Sequence, residues 1–423
     1  MAEAAPQLSF AFVFGMASGH LNPSLPVARA LVAMGHRVHY LCREQMRAAI
    51  EDTGAEFHLD TEVETELYDG REPDIFGAQG SLQREYGLEG DGVMQLRSKL
   101  RHVQVELQMP GLIRWLRRTG AAVVTYCPLM TPEAAYAGRA IGIPSIALMT
   151  LAGPGSIKNA IAEFLARCNI TPEQLKEGAL AFRPRSLAIA RINATYGEGI
   201  VSESDYVGPL GKLDVLKHSL VTLVTTIEEM QDPVPESLAE AYRADGVRFD
   251  AVGPLIDGQG AKRAAGHKYD NDGADEGEDG ARSLEMVRRA RAAGRRVVLA
   301  SMGTVLTGDS RDFGWDARRH GPDGAIRGLT GCELCRAAWG GAFEAFGRGR
   351  ADEGPLLVVA LGPQPEPLGE VELPANAVSA PFVPQVDVLA AGVSAFLSHG
   401  GQNSFTESLA AGAPLVVCPG FGD

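Results

Sequence analysis

The stretch LSFAFVFGMASGHLNPSLPVARALVAMGHRVHYLC, residues 8–42, contains the pattern that decides the fold. Leu8–Phe14 is a short apolar run, which predicts a buried strand. A helix opens at Asn22-Pro23, because proline is favoured in a first helical turn. A second apolar strand, Arg37–Cys42, follows that helix. Strand, helix and strand in close succession form a βαβ unit, whose two strands lie parallel in one sheet.

The same alternation returns along the whole chain. Further strands are predicted at Val123–Tyr126, Ser145–Met149, Leu220–Thr225, Arg248–Val252, Arg296–Ser301, Leu356–Leu361, Val393–Ser398 and Leu415–Cys418. Helices are predicted at Pro132–Ile141, Leu284–Ala293, Cys332–Phe346 and Asn403–Ala411. This order predicts an α/β fold with two Rossmann-like, doubly wound domains, 1–252 and 253–423, facing each other across a cleft.

Several segments do not follow that rhythm. Thr61–Asp91 is acidic and aperiodic, which predicts a long loop, and the helical pattern of Val93–Arg118 is interrupted at Pro110. Asp257–Gly280 and Gly308–Thr330 are rich in glycine and charge, and they are interpreted as insertions. The chain stops at Asp423, directly after a strand, so we expect a truncated sequence.

Composition excludes some classes of function. The 423 residues carry a net charge of −14 and a pI near 5.2, which disfavours a nucleic-acid partner. No signal peptide precedes the first strand, and no apolar run approaches the roughly 20 residues that span a bilayer. Six scattered cysteines indicate reduced thiols. These features predict a cytoplasmic protein.

The densest motif lies near the C-terminus and comprises FVPQ at 382–385, SHGGQNS at 398–404, and Glu407. A buried strand ends at Ser398, two glycines allow a close backbone approach, and a helix then begins. Its free N–H groups and positive dipole suit a diphosphate, to which His399 and Ser404 add hydrogen bonds. Glu407 suits ribose hydroxyls. Ser404 and Glu407 also fit a capping box, which needs no ligand.

Taken together, these motifs resemble the family 1 glycosyltransferases, UDP-sugar-dependent enzymes of the GT-B fold. The resemblance continues through Gly412-x-Pro414-Leu415-Val416 to Pro419-x-Phe421-Gly422-Asp423. Nearer the N-terminus, Gly19-His20-x-Asn22-Pro23 looks like the family's acceptor-side motif. Ser301-Met302-Gly303-Thr304 looks like its first phosphate loop in the C-terminal domain.

The resemblance implies inverting transfer of a hexose to a hydroxyl of a small lipophilic acceptor. The donor is a nucleotide sugar, UDP-linked rather than TDP-linked, and no metal or other cofactor takes part. Phe382 stands where the family has a base-stacking tryptophan, Gln385 contacts the base or ribose, and Asp423 holds sugar hydroxyls. The implied donor-binding set is Ser301, Gly303, Thr304, Phe382, Val383, Gln385, His399, Gly400, Gly401, Asn403, Ser404, Glu407 and Asp423.

An inverting transfer needs a base for the acceptor hydroxyl, and His20, on the loop after the first strand, suits this role because imidazole titrates near neutrality. The family orients this histidine with an aspartate, but Cys127 occupies the matching position here. Three interpretations stay open. Glu133 replaces the aspartate, His20 acts unassisted, or the chain binds ligands without turnover.

Two further motifs have simpler explanations. Asp270-Asn271-Asp272 has the D-x-D form of metal-dependent transferases but lies in an acidic, glycine-rich run, which indicates a solvated loop. Cys332 and Cys335 lie within a helical pattern without a second ligand pair, which favours core packing over zinc. Two alternatives to the transferase stay open: a catalytically impaired nucleotide-sugar-binding protein and a GT-B-fold sugar-nucleotide epimerase.

Overall fold

A computed structural model describes residues 6–167, 169–257, 276–309, 314–318 and 328–420. The chain divides into two compact units, Met1–Gly260 and Ala261–Asp423. A parallel sheet with helices forms the frame of each unit, which confirms the predicted α/β class. None of the helices in the described ranges is both long enough and apolar enough to cross a membrane.

The sheet of the first unit is parallel throughout the described residues. Its strand order is β3-β2-β1-β4-β5-β6-β7. The strands are β1 (Ser9–Val13), β2 (Arg37–Cys42), β3 (Glu56–Leu59), β4 (Val123–Tyr126), β5 (Ser145–Met149), β6 (Ser219–Val224) and β7 (Phe249–Ala251). Predicted and observed bounds coincide for β2, β4 and β5.

Helices flank and connect these strands. The α-helices are Ser18–Leu21, Leu25–Ala33, Arg47–Glu51, Asp60–Val63, Thr65–Tyr68, Gln79–Glu85, Val93–Thr119, Glu133–Ile141, Pro154–Arg167, Pro172–Ala181, Arg183–Tyr196 and Glu236–Ala244. Short 3-10 helices span Asn22–Ser24, Glu44–Met46, Asp214–His218 and Glu228–Met230. The core of the unit lies around Trp115, Tyr126 and Tyr136, between the sheet and the long helix.

The second unit repeats the plan with the order β10-β9-β8-β11-β12, again with parallel neighbours. Its strands are β8 (Val297–Ser301), β9 (Leu356–Ala360), β10 (Ala377–Ala380), β11 (Ala395–Ser398) and β12 (Leu415–Val417). Its helices are Glu276–Ala292, Gly303–Leu306, Gly331–Phe346, Gln385–Ala391 and Gln402–Ala410. Most of the two predicted insertions, Asp270–Asp272 included, lies outside the described residues. The helix at Glu276 begins inside the first insertion.

Each sheet reverses its strand order at one point. In the first unit the reversal falls between β1 and β4, and in the second it falls between β8 and β11. The chain segments that follow the two strands at such a point lead away in opposite directions. A crevice therefore remains between them at the carboxyl ends of the strands, where α/β proteins bind ligands. The strand order alone therefore predicts one ligand-binding site in each unit.

Two expectations about the first unit were wrong. The predicted loop Thr61–Asp91 contains three short helices, and the strand Glu56–Leu59 was not predicted. The helix Val93–Thr119 also continues through Pro110 without ending. Tertiary packing explains both differences. In the long helix, Met109, Leu112, Trp115 and Leu116 are fully buried in the core of the unit, and Leu67 and Leu82 of the short helices are also fully buried. Local propensity, which is all the sequence pattern reports, is overridden here.

The long helix also holds the segment Asp60–Tyr68 through a close backbone contact at Gly111. A Cβ atom built at Gly111 would lie 2.1 Å from the carbonyl oxygen of Val63. We expect Gly111→Ala to destabilise the protein by about 1–3 kcal/mol, since neither backbone can move without unpacking the helix. Urea unfolding measures this change. Gly340→Ala is the matched control, because that helical position has nothing within 4 Å of the added Cβ. An equal loss in both variants would contradict the prediction.

Candidate functional site

His20 lies just beyond the carboxyl end of β1, at the reversal point of the first sheet. It belongs to the short helix Ser18–Leu21, and not to the loop predicted from the sequence. The chain stays helical from Ser18 through the 3-10 turn Asn22–Ser24, so the helical path begins one turn before the proline that was taken as its start. This turn holds the half-buried imidazole in a defined orientation.

Two side chains approach the same ring nitrogen of His20. The Thr150 hydroxyl oxygen lies 2.9 Å from His20 Nδ1, and the Cys127 sulfur lies 3.4 Å from it. Cys127 follows β4 and Thr150 follows β5, so three neighbouring strands end at one imidazole. Burial raises the pKa of the Cys127 thiol to about 11, so the sulfur is a neutral thiol. The sequence analysis missed Thr150, although its position directly after a predicted strand was a usable signal.

The hydrogen bonds at Nδ1 determine whether the other ring nitrogen, Nε2, carries a proton or a lone pair. When a hydroxyl oxygen accepts a hydrogen bond from Nδ1–H, the neutral imidazole carries its lone pair on Nε2. Thr150 is buried, with 3% of its surface exposed, so its hydroxyl is held in place by its surroundings. The contact orients the ring and is compatible with the tautomer in which Nδ1–H donates to Thr150 and Nε2 is the proton acceptor.

Glu133 lies in a different cluster. Its side chain is buried, its Oε2 atom has no hydrogen-bond partner, and the same atom is 4.0 Å from Arg101 Nη1. Burial raises the pKa of this carboxyl above its usual range. The hydrogen bonds that the structure gives for His20 Nδ1 go to Thr150 and Cys127, and Glu133 is not among these partners.

A small pocket that is partly open to solvent lies at the carboxyl ends of β1, β2 and β3. Its polar lining includes Glu133, Glu64, Gln104 and Gln108, where Gln108 Nε2 donates to Glu64 Oε2 at 2.9 Å. Its apolar lining is Met16, Ile75, Phe76 and Met130. The wall Phe14–Met16 continues directly into the turn that carries His20. The first unit thus offers a cavity as well as a candidate base, and both lie at carboxyl ends of strands of the same sheet.

The second unit brings its predicted loops together through strand pairing. Ser301 at the end of β8 pairs with Ser398 at the end of β11. The loop that begins at Met302 therefore starts beside the loop that begins at His399, at the reversal point of this sheet. Ser301 and Ser398 are both buried.

Two glycines hold the imidazole of His399. A Cβ atom at Gly303 would lie 2.2 Å from His399 Cε1, and one at Gly401 would lie 2.4 Å from Nε2. Gly303 and Gly400 also have positive φ angles of 75° and 92°, which glycine adopts at least strain. Burial lowers the pKa of His399 to about 4, so the ring is neutral at pH 7. The glycines are therefore required by the histidine and not only by a ligand.

The helix after this loop begins with the backbone amides of Gln402–Ser404 at its N-terminus. Gly401 is the N-cap residue and supplies no side-chain cap. The capping box proposed for Ser404 and Glu407 is wrong, because both residues lie inside the helix Gln402–Ala410. The amides of a first turn have no intrahelical acceptor, and helix N-termini of this kind bind anions in other proteins.

Gln385 connects the two halves of the motif. Its Nε2 atom donates to Ser404 Oγ at 3.1 Å and to Glu407 Oε2 at 2.7 Å. Burial raises the pKa of Glu407 to about 7, and the hydrogen bond from Gln385 opposes that rise. Three residues of the predicted donor set therefore form one polar network.

The remaining members of the set have different surroundings. Phe382 is half-buried and packs beside Gly280 of the helix Glu276–Ala292. Val383 is buried in the hydrophobic core of the unit, so its side chain serves packing. Thr304 follows Gly303 in the short helix Gly303–Leu306, and Asn403 lies in the first turn of the helix Gln402–Ala410. Asp423 lies outside the described residues.

Comparison with known proteins finds similarity to glycosyltransferases. Residues 362–423 match the family described as UDP-glucoronosyl and UDP-glucosyl transferase. The NDP-glycosyltransferase YjiC of Bacillus subtilis (strain 168) is 34% identical over 82 residues, which are 19% of this chain and 21% of that protein. Anthocyanidin 3-O-glucosyltransferase 2 of Fragaria ananassa is 51% identical over 49 residues, which are 11% of this chain and 10% of that protein.

Among solved structures, the glycotransferase of kitacinnamycin superposes with a TM-score of 0.56 at 22% identity, covering 98% of this chain and 81% of that one. The match to the two curated relatives spans about a fifth or less of their lengths. The family resemblance is confirmed on the C-terminal segment, and the GT-B class of fold is confirmed for the chain.

The buried position of His399 has a measurable consequence for pH. Its pKa is near 4 in the folded protein and near 6.5 when unfolded. The unfolded chain therefore binds the extra proton first, and this histidine makes stability fall as pH decreases from about 6.5 to 4. We expect NMR titration to show a neutral His399 imidazole at pH 5.5. His399→Gln, which cannot titrate, should weaken the pH dependence of unfolding, and protonation of His399 near pH 6.5 would contradict this.

Proposed function

Because its C-terminal segment carries the signature of the UDP-glucoronosyl and UDP-glucosyl transferases, we propose that this chain is an inverting glycosyltransferase. It moves a hexose from a UDP-type nucleotide sugar to a hydroxyl of a small lipophilic acceptor, with His20 as general base. The observation that carries the proposal is the orientation of His20, whose Nδ1 atom is held by Thr150 and Cys127 at the reversal point of a parallel sheet.

The reaction is a single displacement. The acceptor oxygen attacks the anomeric carbon, the bond from that carbon to the diphosphate breaks, and the nucleoside diphosphate leaves with the bonding electron pair. The proton of the acceptor hydroxyl goes to His20 Nε2. Attack from the side opposite the leaving group inverts the anomeric centre. A positioned general base of this kind contributes about 10²–10⁴-fold to the rate.

Thr150 takes the positioning role that an aspartate has in the family. A hydroxyl oxygen that accepts from Nδ1–H fixes the tautomer without carrying a negative charge. It therefore stabilises the imidazolium that forms during transfer less than a carboxylate would. This supports the interpretation that His20 acts without a carboxylate partner, and we expect a modest turnover rate.

The leaving diphosphate is held by the second unit. The first turn of the helix Gln402–Ala410 offers backbone amides and the positive end of the helix dipole. Gly303 and Gly401 carry no side chain, so a phosphate can approach the backbone closely at these positions. Neutral His399 adds a donor or an acceptor without a charge of its own. These groups provide the positive potential that a divalent cation supplies in metal-dependent transferases, so we propose metal-independent transfer. Glu407 and Gln385 face the ribose, and Phe382 the base.

The pocket lined by Phe14–Met16, which precede the helix of His20 in the chain, is the proposed acceptor site. Part of its lining is apolar, including Met16, Ile75, Phe76 and Met130, which suits a lipophilic body. Another part is polar, including Glu64 and Glu133. An acceptor with hydroxyl groups at one end of a lipophilic framework fits this division.

The transfer proposal is tested with the purified chain, radiolabelled UDP-sugars and a panel of hydroxylated acceptors. We expect labelled conjugate from the wild-type chain and a rate loss of about 10²–10⁴-fold in His20→Ala, since the acceptor loses its base. His36→Ala is the control, because His36 lies beyond the C-terminal end of the helix Leu25–Ala33, where it accepts a hydrogen bond from the Leu8 amide and packs against Phe10. Equal activity in the two variants would contradict the assignment of His20.

The role of Thr150 is tested separately. We expect Thr150→Val to lower kcat about tenfold, the rate equivalent of one hydrogen bond of about 1.4 kcal/mol. Thr150→Ser keeps the hydroxyl and should retain most of the activity. A structural role alone would leave the pH profile unchanged, whereas loss of the Nδ1 contact should shift the apparent pKa of the base in kcat/KM. Identical profiles for wild type and Thr150→Val would argue against positioning.

A second candidate function is a nucleotide-sugar-binding protein that does not turn over. Cys127 favours it. Because burial raises its pKa, this residue is a neutral thiol, and it gives His20 no negatively charged partner of the kind that an aspartate supplies. Calorimetry with UDP and UDP-glucose distinguishes the two. Donor binding that is weakened by Gly401→Ala, combined with no conjugate for any acceptor, would support the binding protein. Conjugate formation would exclude it.

A further inference from the structure

Three potential metal ligands meet at the edge of the first sheet, away from the groups assigned above. Glu56 and His58 are two residues apart on the edge strand β3, so their side chains emerge on the same face of the sheet. His39 on β2 pairs in register with Glu56. The side-chain period of the two strands therefore places one carboxylate and two imidazoles on a common patch, which we call the His-Glu-His cluster.

The donor atoms of this cluster lie at the spacing that a tetrahedral metal needs. His39 Nδ1 is 3.2 Å from His58 Nε2 and 3.3 Å from Glu56 Oε2, and His58 Nε2 is 3.4 Å from Glu56 Oε1. Ligands bonded to zinc at about 2.0–2.1 Å in tetrahedral geometry lie roughly 3.3 Å apart. The three side chains thus form one face of a tetrahedron before any ion is added. Within the described part of the chain, no other group of three or more such residues meets the spacing for a metal.

The chemistry of the cluster matches the same class of ion. Two imidazoles and a carboxylate suit borderline metals such as zinc, and they suit calcium or magnesium poorly. Burial lowers the pKa of both His39 and His58, so neither ring must lose a proton before it binds at neutral pH. Glu56 is more than half exposed, which leaves a path for an ion to enter.

We propose that the His-Glu-His cluster binds one divalent late transition-metal ion, zinc by preference, through His39 Nδ1, His58 Nε2 and the Glu56 carboxylate. Three protein ligands leave the fourth position to water. The site is separate from the transfer chemistry, and it stands whether or not the chain is a glycosyltransferase.

The surroundings of the cluster limit its affinity. Arg37 lies 3.8 Å from Glu56 Oε2 and competes for that carboxylate. Arg118 adds a second positive charge near His58. A metal on His39 Nδ1 also places the ring proton on Nε2, which is buried without a partner, so that N–H stays unsatisfied. We therefore expect reversible binding and not a permanently occupied structural site.

The edge of Trp115 keeps the cluster in shape without a metal. Its ring lies 5.5 Å from that of His58 in a T-shaped arrangement. The Trp115 side chain is fully buried in the core of the unit. One ligand is therefore anchored to the core, which reduces the loss of conformational freedom when an ion binds.

The test is isothermal titration of the full, metal-stripped chain with zinc chloride in a non-chelating buffer. We expect a saturable site with one zinc per chain and a melting temperature that rises with zinc concentration. His58→Gln and Glu56→Gln avoid the buried His39 and keep side-chain size, and each should weaken binding at least tenfold. His36→Ala and Cys332→Ser are controls that should retain the site, since they remove a partly exposed imidazole and a partly exposed thiol outside the cluster, to which adventitious zinc would bind.

Two further measurements keep the proposal falsifiable. Cobalt(II) added in place of zinc should give the intense visible bands of four-coordinate cobalt, and these should disappear in His58→Gln. Arg37→Ala should strengthen zinc binding by about two- to fivefold, because it removes a competing ion pair worth about 0.5–1 kcal/mol. No saturable binding, or binding unchanged in both ligand variants, would overturn the site. In that case the cluster would be a hydrogen-bonded sheet edge and nothing more.

Discussion

Parallel pairing across the reversal point of each sheet is the constraint on which both candidate sites depend. β1 pairs with β4 in the first unit, and β8 pairs with β11 in the second. Because parallel strands end at the same edge, residues more than a hundred positions apart in the first unit come within hydrogen-bond distance. His20 meets Cys127 for this reason, and the loop after Ser301 meets His399 in the same way. Without that pairing, neither set of side chains would converge.

The two sites use opposite strategies for their histidines. His20 is half-buried, and its Nδ1 atom is in contact with the Thr150 hydroxyl, which orients the ring for the role proposed above. His399 is wedged between glycine backbones and its pKa is depressed, so the ring stays neutral. The physical difference is solvation, since loss of water disfavours the charged imidazole. In the proposed function, the same type of side chain therefore serves as a proton acceptor in one environment and as a neutral ligand-binding group in the other.

Buried polar groups of the first unit have distinct roles. Glu64 and Glu133 line a cavity and have raised pKa values because they are desolvated, so they are suited to recognising polar groups of a ligand. His39 and His58 lie at the sheet edge and are neutral for the same reason, but their neighbour is a half-exposed carboxylate. Burial lowers the pKa of an imidazole and raises that of a carboxyl. Burial therefore favours the protonated, hydrogen-bonding form of Glu64 and Glu133. It also favours the neutral form of His39 and His58, which is the form that binds a metal.

The sequence by itself determined the class of fold and most of the strands around both sites. Buried parallel strands are short continuous apolar runs bounded by glycine and proline, and this local signal survives without knowledge of contacts. The segment Ser398–Ser404 could likewise be recognised from the sequence, because its glycines make room for the imidazole of His399, which is their neighbour in the chain. Sequence reasoning failed where packing overrides propensity, as in the helices within Thr61–Asp91 and the continuous helix through Pro110.

Only the tertiary structure determined which groups surround His20 and which hydrogen bonds connect the residues of the C-terminal motif. Thr150 is a single hydroxyl after a strand, and nothing in its neighbours marks it as a partner of a residue 130 positions away. Gln385 reaches Ser404 and Glu407 only after two helices are docked. The spacing of the His-Glu-His cluster also needs the register of β2 against β3. Such contacts depend on relative positions in space, which hydrophobic periodicity along one chain does not encode.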